Sequence, residues 1–207
     1  MVFKRRDRRP VWQIVLRALW PKGGWARAAT YVKHRVRRLP DTPEKISRGI
    51  WAGVFTSFTP FYGLHFLISA GLAKAMRGNI VAALLATFFG NPLTYVPIGV
   101  IALNTGYWML GTRPPHGFER GLFEKFAGAG ADLWHNVLSM FTPRTAHWGR
   151  LEVFHDEVFL PYLVGGIVPG IVAATVCYYL STPVLRAYQN RRRKTLRTKL
   201  EKLKTQG

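Results

Sequence analysis

Residues 50–110 read IWAGVFTSFTPFYGLHFLISAGLAKAMRGNIVAALLATFFGNPLTYVPIGVIALNTGYWML, and this tract decides the fold. It carries two basic side chains, Lys74 and Arg77, and no acidic one. It is also broken twice, at Thr59-Pro60-Phe61-Tyr62-Gly63 and at Gly90-Asn91-Pro92-Leu93-Thr94. A simple membrane anchor needs about 20 uninterrupted apolar residues. Irregular backbone at membrane depth is tolerated only where protein or a wet cavity satisfies the freed polar groups. The doubly broken tract is therefore the expected working part of the molecule.

The first break divides residues 48–76 into two apolar pieces of about 10–13 residues each, too short to cross a bilayer at about 1.5 Å per residue. Two short pieces hinged at Pro60 and Gly63 predict a re-entrant hairpin. In the second break Pro92 removes the donor for the Phe88 carbonyl, so the helix there must kink or unwind. Residues 79–110 remain long enough to cross.

The flanks carry the charge. Of the 30 Lys and Arg residues, 14 precede residue 50 and nine lie from Arg186 onward. Six of the ten acidic residues lie in 112–157, against five basic ones. Basic runs beside apolar tracts follow the positive-inside rule, so both ends are expected in the cytoplasm. That requires an even number of crossings, which three full crossings would violate. A hairpin at 48–76, an outward span at 79–110 and a returning span at 158–184 restore the parity and place the acidic loop outside. A further arrangement, with 79–89 and 93–110 as separate short spans, needs 50–76 to cross fully.

Before the tract, Val11 to Trp20 is short, Trp-rich and interrupted by Arg17, which predicts an interfacial segment; no cleavable signal is legible. Trp25, Ala28, Ala29, Val32, Val36 and Leu39 repeat at helical spacing among five basic residues, predicting an amphipathic helix docked on the membrane surface. The expected organisation is a basic amphipathic region at 1–39, a membrane domain at 40–184 and a basic cytoplasmic tail at 185–207. The extramembrane loop spans 112–157. The fold class is an all-α membrane protein: a re-entrant or broken hairpin, two transmembrane helices and interfacial amphipathic helices.

Polar groups at depth are costly and mark the candidate site. The first break offers Thr59, Pro60, Tyr62, Gly63 and His65, with Thr56 and Ser57 just before; the second offers Asn91, Pro92 and Thr94, with Tyr95 beside them. Local repair of broken backbone is one reading. The other is that both breaks meet in one polar spot, as in broken-helix transporters. His65, the one ionisable side chain in 50–73, is the candidate for pH dependence. Gly49 with Gly53, and Gly166 with Gly170, have small-xxx-small spacing for close helix packing. His116, His135, His147 and His155 match no metal signature, and no nucleophile elbow, phosphate loop or dinucleotide fingerprint occurs, so neither metal nor cofactor is expected.

Taken in order, Gly49, Gly53-Val54-Phe55, Pro60-Phe61-Tyr62-Gly63-Leu64-His65, Arg77-Gly78-Asn79 and Gly90-Asn91-Pro92-Leu93-Thr94 resemble the bacterial domain of unknown function 2062 family. Its pattern joins a G-x-x-x-G-x-F start, a P-F-x-G-x-H/Q turn, an R-x-N turn and an N-P-x-T break. The resemblance covers roughly residues 40–180 and implies an integral inner-membrane protein of bacteria, fused in some relatives to a glycosyltransferase.

The expected function is that of a non-catalytic envelope accessory or scaffold. A small oligomeric transporter using the broken-helix site is the alternative, and an enzyme of lipid-linked glycans a weaker one. Expected partners are anionic lipid headgroups, a second copy of the chain and envelope glycan or lipid enzymes. Nucleic acid is not among them, because the basic runs flank apolar tracts.

Overall fold

The computed structural model describes residues 24–113, 118–142 and 145–204, and every regular element among them is helical. The expectations for Val11–Trp20 and His116 lie outside the described residues. In chain order the helices are α1 (Gly24–Arg37), α2 (Pro43–Thr56), α3 (His65–Ala75), α4 (Ile80–Ala86), α5 (Pro92–Leu110), α6 (Phe118–Ser139), α7 (Gly149–Phe154) and α8 (Leu160–Lys204). A single 3₁₀ turn, Thr87–Phe89, follows α4, and a π-helical turn, His155–Phe159, leads into α8.

Local chemistry sets the ends of these helices. Thr42 caps α2, its hydroxyl accepting the Lys45 amide, with Pro43 in the first turn, where its missing N–H costs nothing. The chain turns at Phe61–Leu64, where the Leu64 N–H bonds the Phe61 carbonyl and Gly63 takes a left-handed φ of +88°. After α3, Arg77 is left-handed (φ +53°), and the Gly78 amide closes back onto the Ala73 carbonyl at 2.7 Å. Asn79 then caps α4 by accepting the Ala82 amide at 2.7 Å. The Arg77-Gly78-Asn79 segment sits on the start of α2: Asn79 N–H bonds the Lys45 carbonyl, Arg48 bonds the Arg77 carbonyl, and the Asn79 amide side chain bonds Asp41. Residues 43–79 thus form a closed hairpin whose legs meet again at the end where they began.

Glycines set the packing. A Cβ at Gly49 would strike the Asn79 carbonyl, and one at Gly53 would strike the Ala83 carbonyl and lie 2.7 Å from the Ala86 methyl. These two glycines let α4 lie alongside α2, pointing the same way. On α8, Gly166 faces the Phe58 carbonyl, and a Cβ at Gly170 would come within 2.9 Å of the Phe58 Cβ. Gly106 and Gly165 bring α5 and α8 into backbone contact.

The long α8 organises the rest. α2 runs antiparallel to it, through Glu44–Arg186 (2.6 Å), Ser47–Ser181 (3.0 Å), Trp51–Thr175 (3.1 Å) and finally Phe58 against Gly166. α5 is antiparallel to the first turns of α8, and the Tyr107 hydroxyl donates to the Glu157 carbonyl at 2.6 Å. The shared core contains Val54, Phe58, Ile98, Leu103, Val158 and Tyr162. α8 continues through Pro169 and Pro183, past the change from apolar to basic sequence at residue 185. The apolar side of α1, Val32 and Val36 with Leu39 beyond it, packs on Ile46, Ala82 and Leu185, so these three residues lie against the protein itself.

Among the described residues two helices are long and apolar enough to cross a membrane: α5, and the continuous helix containing α8. Only 28% and 39% of their most apolar windows are buried. Leu93, Val96 and Trp108 on α5, and Ile167, Val172, Val176 and Leu180 on α8, stay exposed. The core helix of a water-soluble fold would cover these side chains.

Candidate functional site at the paired helix breaks

Some polar residues of the two breaks only repair their own backbone. Thr56 donates to the Ala52 carbonyl and Thr59 to the Thr56 carbonyl, each at 2.7 Å. Asn91 caps α5, its side-chain oxygen accepting the Leu93 and Thr94 amides at 3.0 and 3.2 Å. Thr94 completes the capping box by accepting the Asn91 amide at 2.9 Å. Pro92 occupies the first turn of α5, so the second break is a capped helix start preceded by a 3₁₀ turn. Pro60 accepts the Tyr62 amide at 2.9 Å and shapes the hairpin tip with Gly63.

Other residues join one break to the other. The Gly90 amide donates to the Ser57 hydroxyl at 3.2 Å, and that hydroxyl lies 3.1 Å from the Gly53 carbonyl and 3.4 Å from the Thr87 carbonyl. Phe58 stacks on Phe89, with ring centroids 6.2 Å apart. His65, at the start of α3, is buried. Its Nε2 lies 3.1 Å from the Thr59 carbonyl, which can only accept, so Nε2 carries hydrogen. In the neutral ring Nδ1 is then the acceptor, and the Tyr95 hydroxyl stands 3.4 Å from it as donor.

Tyr62 is the hub of an aromatic cage. Its ring meets His65, Tyr95, Phe126 and Tyr162 edge-on at centroid distances of 5.6, 5.5, 6.1 and 6.2 Å. Such contacts contribute about 0.5–1.5 kcal/mol each beyond area burial. Phe61 at the hairpin tip packs edge-on against Phe159, 5.7 Å away, in the π-helical turn. π-Helical turns recur at functional sites.

Tyr162 was not legible as a site residue, because a Tyr following Pro161 within an apolar run carries no spacing signal. It is 3% exposed, and its hydroxyl lies beside the Tyr62 phenol, its polar neighbour in the cluster. Phe126 was likewise unassigned, and it ties the 112–157 segment to the hairpin tip. That segment is held down by the Lys125–Glu157 ion pair and by Phe126 packed on Phe154 at 4.8 Å. Within it, Asn136 bonds the His147 amide and carbonyl, each at 2.8 Å, and Asp132 accepts the Arg150 amide at 2.9 Å. The rings of His135 and His147 lie 5.1 Å apart, and His155 pairs with Asp156 at 2.7 Å. No group of three or more His, Cys, Asp or Glu with metal-holding geometry occurs among the described residues.

The site is therefore a packed aromatic cluster with four polar heads, Tyr62, His65, Tyr95 and Tyr162, where the hairpin tip meets the start of α5 and the first turns of α8. It offers hydrogen-bond donors and acceptors on four side chains.

No curated protein and no solved structure matches the chain. A family model described as an uncharacterized protein conserved in bacteria (DUF2062) matches residues 26–194, well over half of the 207 residues, and includes all four motif segments and Tyr162. The chain belongs to that bacterial family.

Proposed function

We propose that this chain is a multi-pass protein of the bacterial inner membrane, with both ends cytoplasmic, that binds a polar group at its paired helix breaks and passes it on as part of a small oligomeric permeation device. In this reading residues 43–79 are a re-entrant hairpin, α4 and α5 together cross outward, and α8 crosses back. The exposed apolar faces of α5 and α8 support a lipid environment. The closed base of the hairpin, where Asn79 returns to Lys45 and Asp41, supports entry and exit on the side of the basic ends.

The buried Tyr162 hydroxyl beside the Tyr62 phenol, with His65 and Tyr95 in the same cluster, carries the functional reading. Four polar heads gathered on one buried aromatic cluster fit a site that hydrogen-bonds a visiting acceptor. An envelope scaffold using its glycine pairs to hold other proteins finds less support, because Gly49, Gly53, Gly166 and Gly170 are already occupied within the chain. An enzyme of lipid-linked glycans finds no acid–base pair in the cluster.

The test is complementation of a strain deleted for this protein, scored by growth under envelope stress, with Tyr162→Phe, Tyr95→Phe and His65→Ala. Each variant is expected to insert at wild-type level and to fail in complementation. Full complementation by all three would make the cluster a packing device and return the scaffold reading to first place.

A further inference from the structure

A second cavity, of about 630 Å³, lies on the opposite side of α2 from the hairpin's return leg, and the reading above leaves it unused. Its walls are Val32 and Val36 of α1, Val54 of α2, Phe88 and Phe89 of the 3₁₀ turn, and Cys177 and Leu185 of α8. Nearly all of its lining is apolar. The exceptions are arranged with a direction. Lys33 and Arg37 line it from α1, on the end that shares Leu185 and is near Tyr188, whose ring lies 5.7 Å under the Arg37 guanidinium. The other end reaches Asn91 and Cys177, about two turns, or 12 Å, further along α8.

We infer that this cavity is a binding site for one anionic lipid, with the headgroup phosphate on Lys33 and Arg37 and an acyl chain laid between α1, α2 and α8. The inference rests on the membrane placement proposed above, not on the paired-break site. Three observations on different elements support it. The volume falls within the range of roughly 300–1,000 Å³ typical of ligand sites. The body is apolar and the end beside Leu185 basic, which is the charge and polarity order of an anionic lipid with its headgroup at that end. At that end the carboxylates of Asp41 and Glu44 are already paired with Lys45 and Arg186, and among the described residues neither Lys33 nor Arg37 is in an ion pair, Arg37 meeting only the Tyr188 ring. A neutral amphiphile would satisfy the apolar body and leave two cations without a counter-charge.

Cys177 makes the inference testable, because it is the chain's single cysteine and lines the deep end of the cavity, half-buried. The full chain is placed in nanodiscs of phosphatidylcholine, or of phosphatidylcholine with one third phosphatidylglycerol. The rate at which a membrane-permeant maleimide modifies Cys177 is then measured. The expected result is a rate at least fivefold lower with phosphatidylglycerol, one phosphatidylglycerol per chain retained in native mass spectrometry, and loss of both effects in the K33Q/R37Q variant. A Val36→Trp variant, which fills the cavity from α1, is expected to slow modification equally in both lipids and to retain no lipid. Equal rates for the wild type in the two lipids would overturn the proposal, as would protection that survives K33Q/R37Q. Protection by inorganic phosphate alone in phosphatidylcholine discs would overturn it too, because the occupant would then need no acyl chain. A parallel alkaline carbonate wash separates the two readings. Release of the protein from membranes would defeat the membrane placement itself, whereas retention without lipid preference would defeat only this site.

Discussion

Gly90 gives its amide hydrogen to the Ser57 hydroxyl at 3.2 Å, and this bond ties the second helix break to the first across 33 residues of sequence. Ser57 is 1% exposed, so no solvent stands by to replace it. Ser57→Ala removes the acceptor that crosses between the breaks and leaves the Gly90 N–H with the Thr87 carbonyl at 3.0 Å, so the cost is that of one ordinary hydrogen bond, about 0.5–1.5 kcal/mol. The variant is expected to melt about 2–4 °C lower per kcal/mol lost for a chain of this size. Thermal unfolding in detergent, followed by tryptophan fluorescence, measures it; an unchanged midpoint would show that the breaks are held together by packing alone.

Two glycines in the hairpin should respond to the same substitution with opposite signs. At Gly53 a methyl group meets the Ala83 carbonyl and the Ala86 methyl, both on a backbone that cannot move away alone. Gly53→Ala is expected to destabilise by about 1–3 kcal/mol or more by forcing α4 off α2. At Gly71, within α3, nothing lies within 4 Å of the added carbon. Gly71→Ala is expected to stabilise by up to about 1 kcal/mol through helix propensity. Paired melting curves would expose the sign difference, and two equal shifts would argue against the α2–α4 contact.

The base of the hairpin should be acid-sensitive. A hydrogen bond from Lys45, then one from the Asn79 side chain, holds the Asp41 carboxyl below its ordinary value. A hydrogen bond from Arg186 does the same for Glu44. Both groups are depressed in the folded state, so their stabilisation is complete above the unfolded value of about 4 and is lost as pH falls through the lower folded values. The melting temperature is expected to stay level from pH 7 to about 5 on this account and to drop below pH 4. The D41N/E44Q variant should start lower at pH 7 and lose less on acidification. A variant curve parallel to the wild type at all pH values would remove the two carboxylates as the cause.

The topology is testable from the ends. A reporter that matures only in the cytoplasm, fused after Gly207, is expected to be active, and one inserted near His147 is expected to be inactive. The reverse pattern for the terminal fusion would turn the hairpin into a full crossing.

The places where this chain breaks were legible without a structure. Pro60 and Pro92 lack the donor that a continuing helix needs, Gly63 permits the left-handed turn, and Asn91 and Thr94 form a capping box; each effect acts within a few residues. The basic ends and the apolar spans were equally plain, since charge and hydropathy are properties of a segment. The small-residue pairs announced close packing but not the partner. Gly53 has the same spacing whether it meets α4, α8 or another molecule.

The rest depended on contacts between distant segments. Ser57 was one polar residue among several at the first break until α4 lay down beside α2 and delivered Gly90 to it. Tyr162 comes from a helix about a hundred residues further on, and its hydroxyl is buried only because α5 and Tyr62 close around it. The change in composition at residue 185 does not end a helix, because a proline removes one backbone bond and the helix runs on through Pro183. Sequence alone determined where the backbone is interrupted, since that is decided by bonds within a turn. Only the tertiary structure decided that the two interruptions face each other, since that is decided by which surfaces the glycines allow to touch.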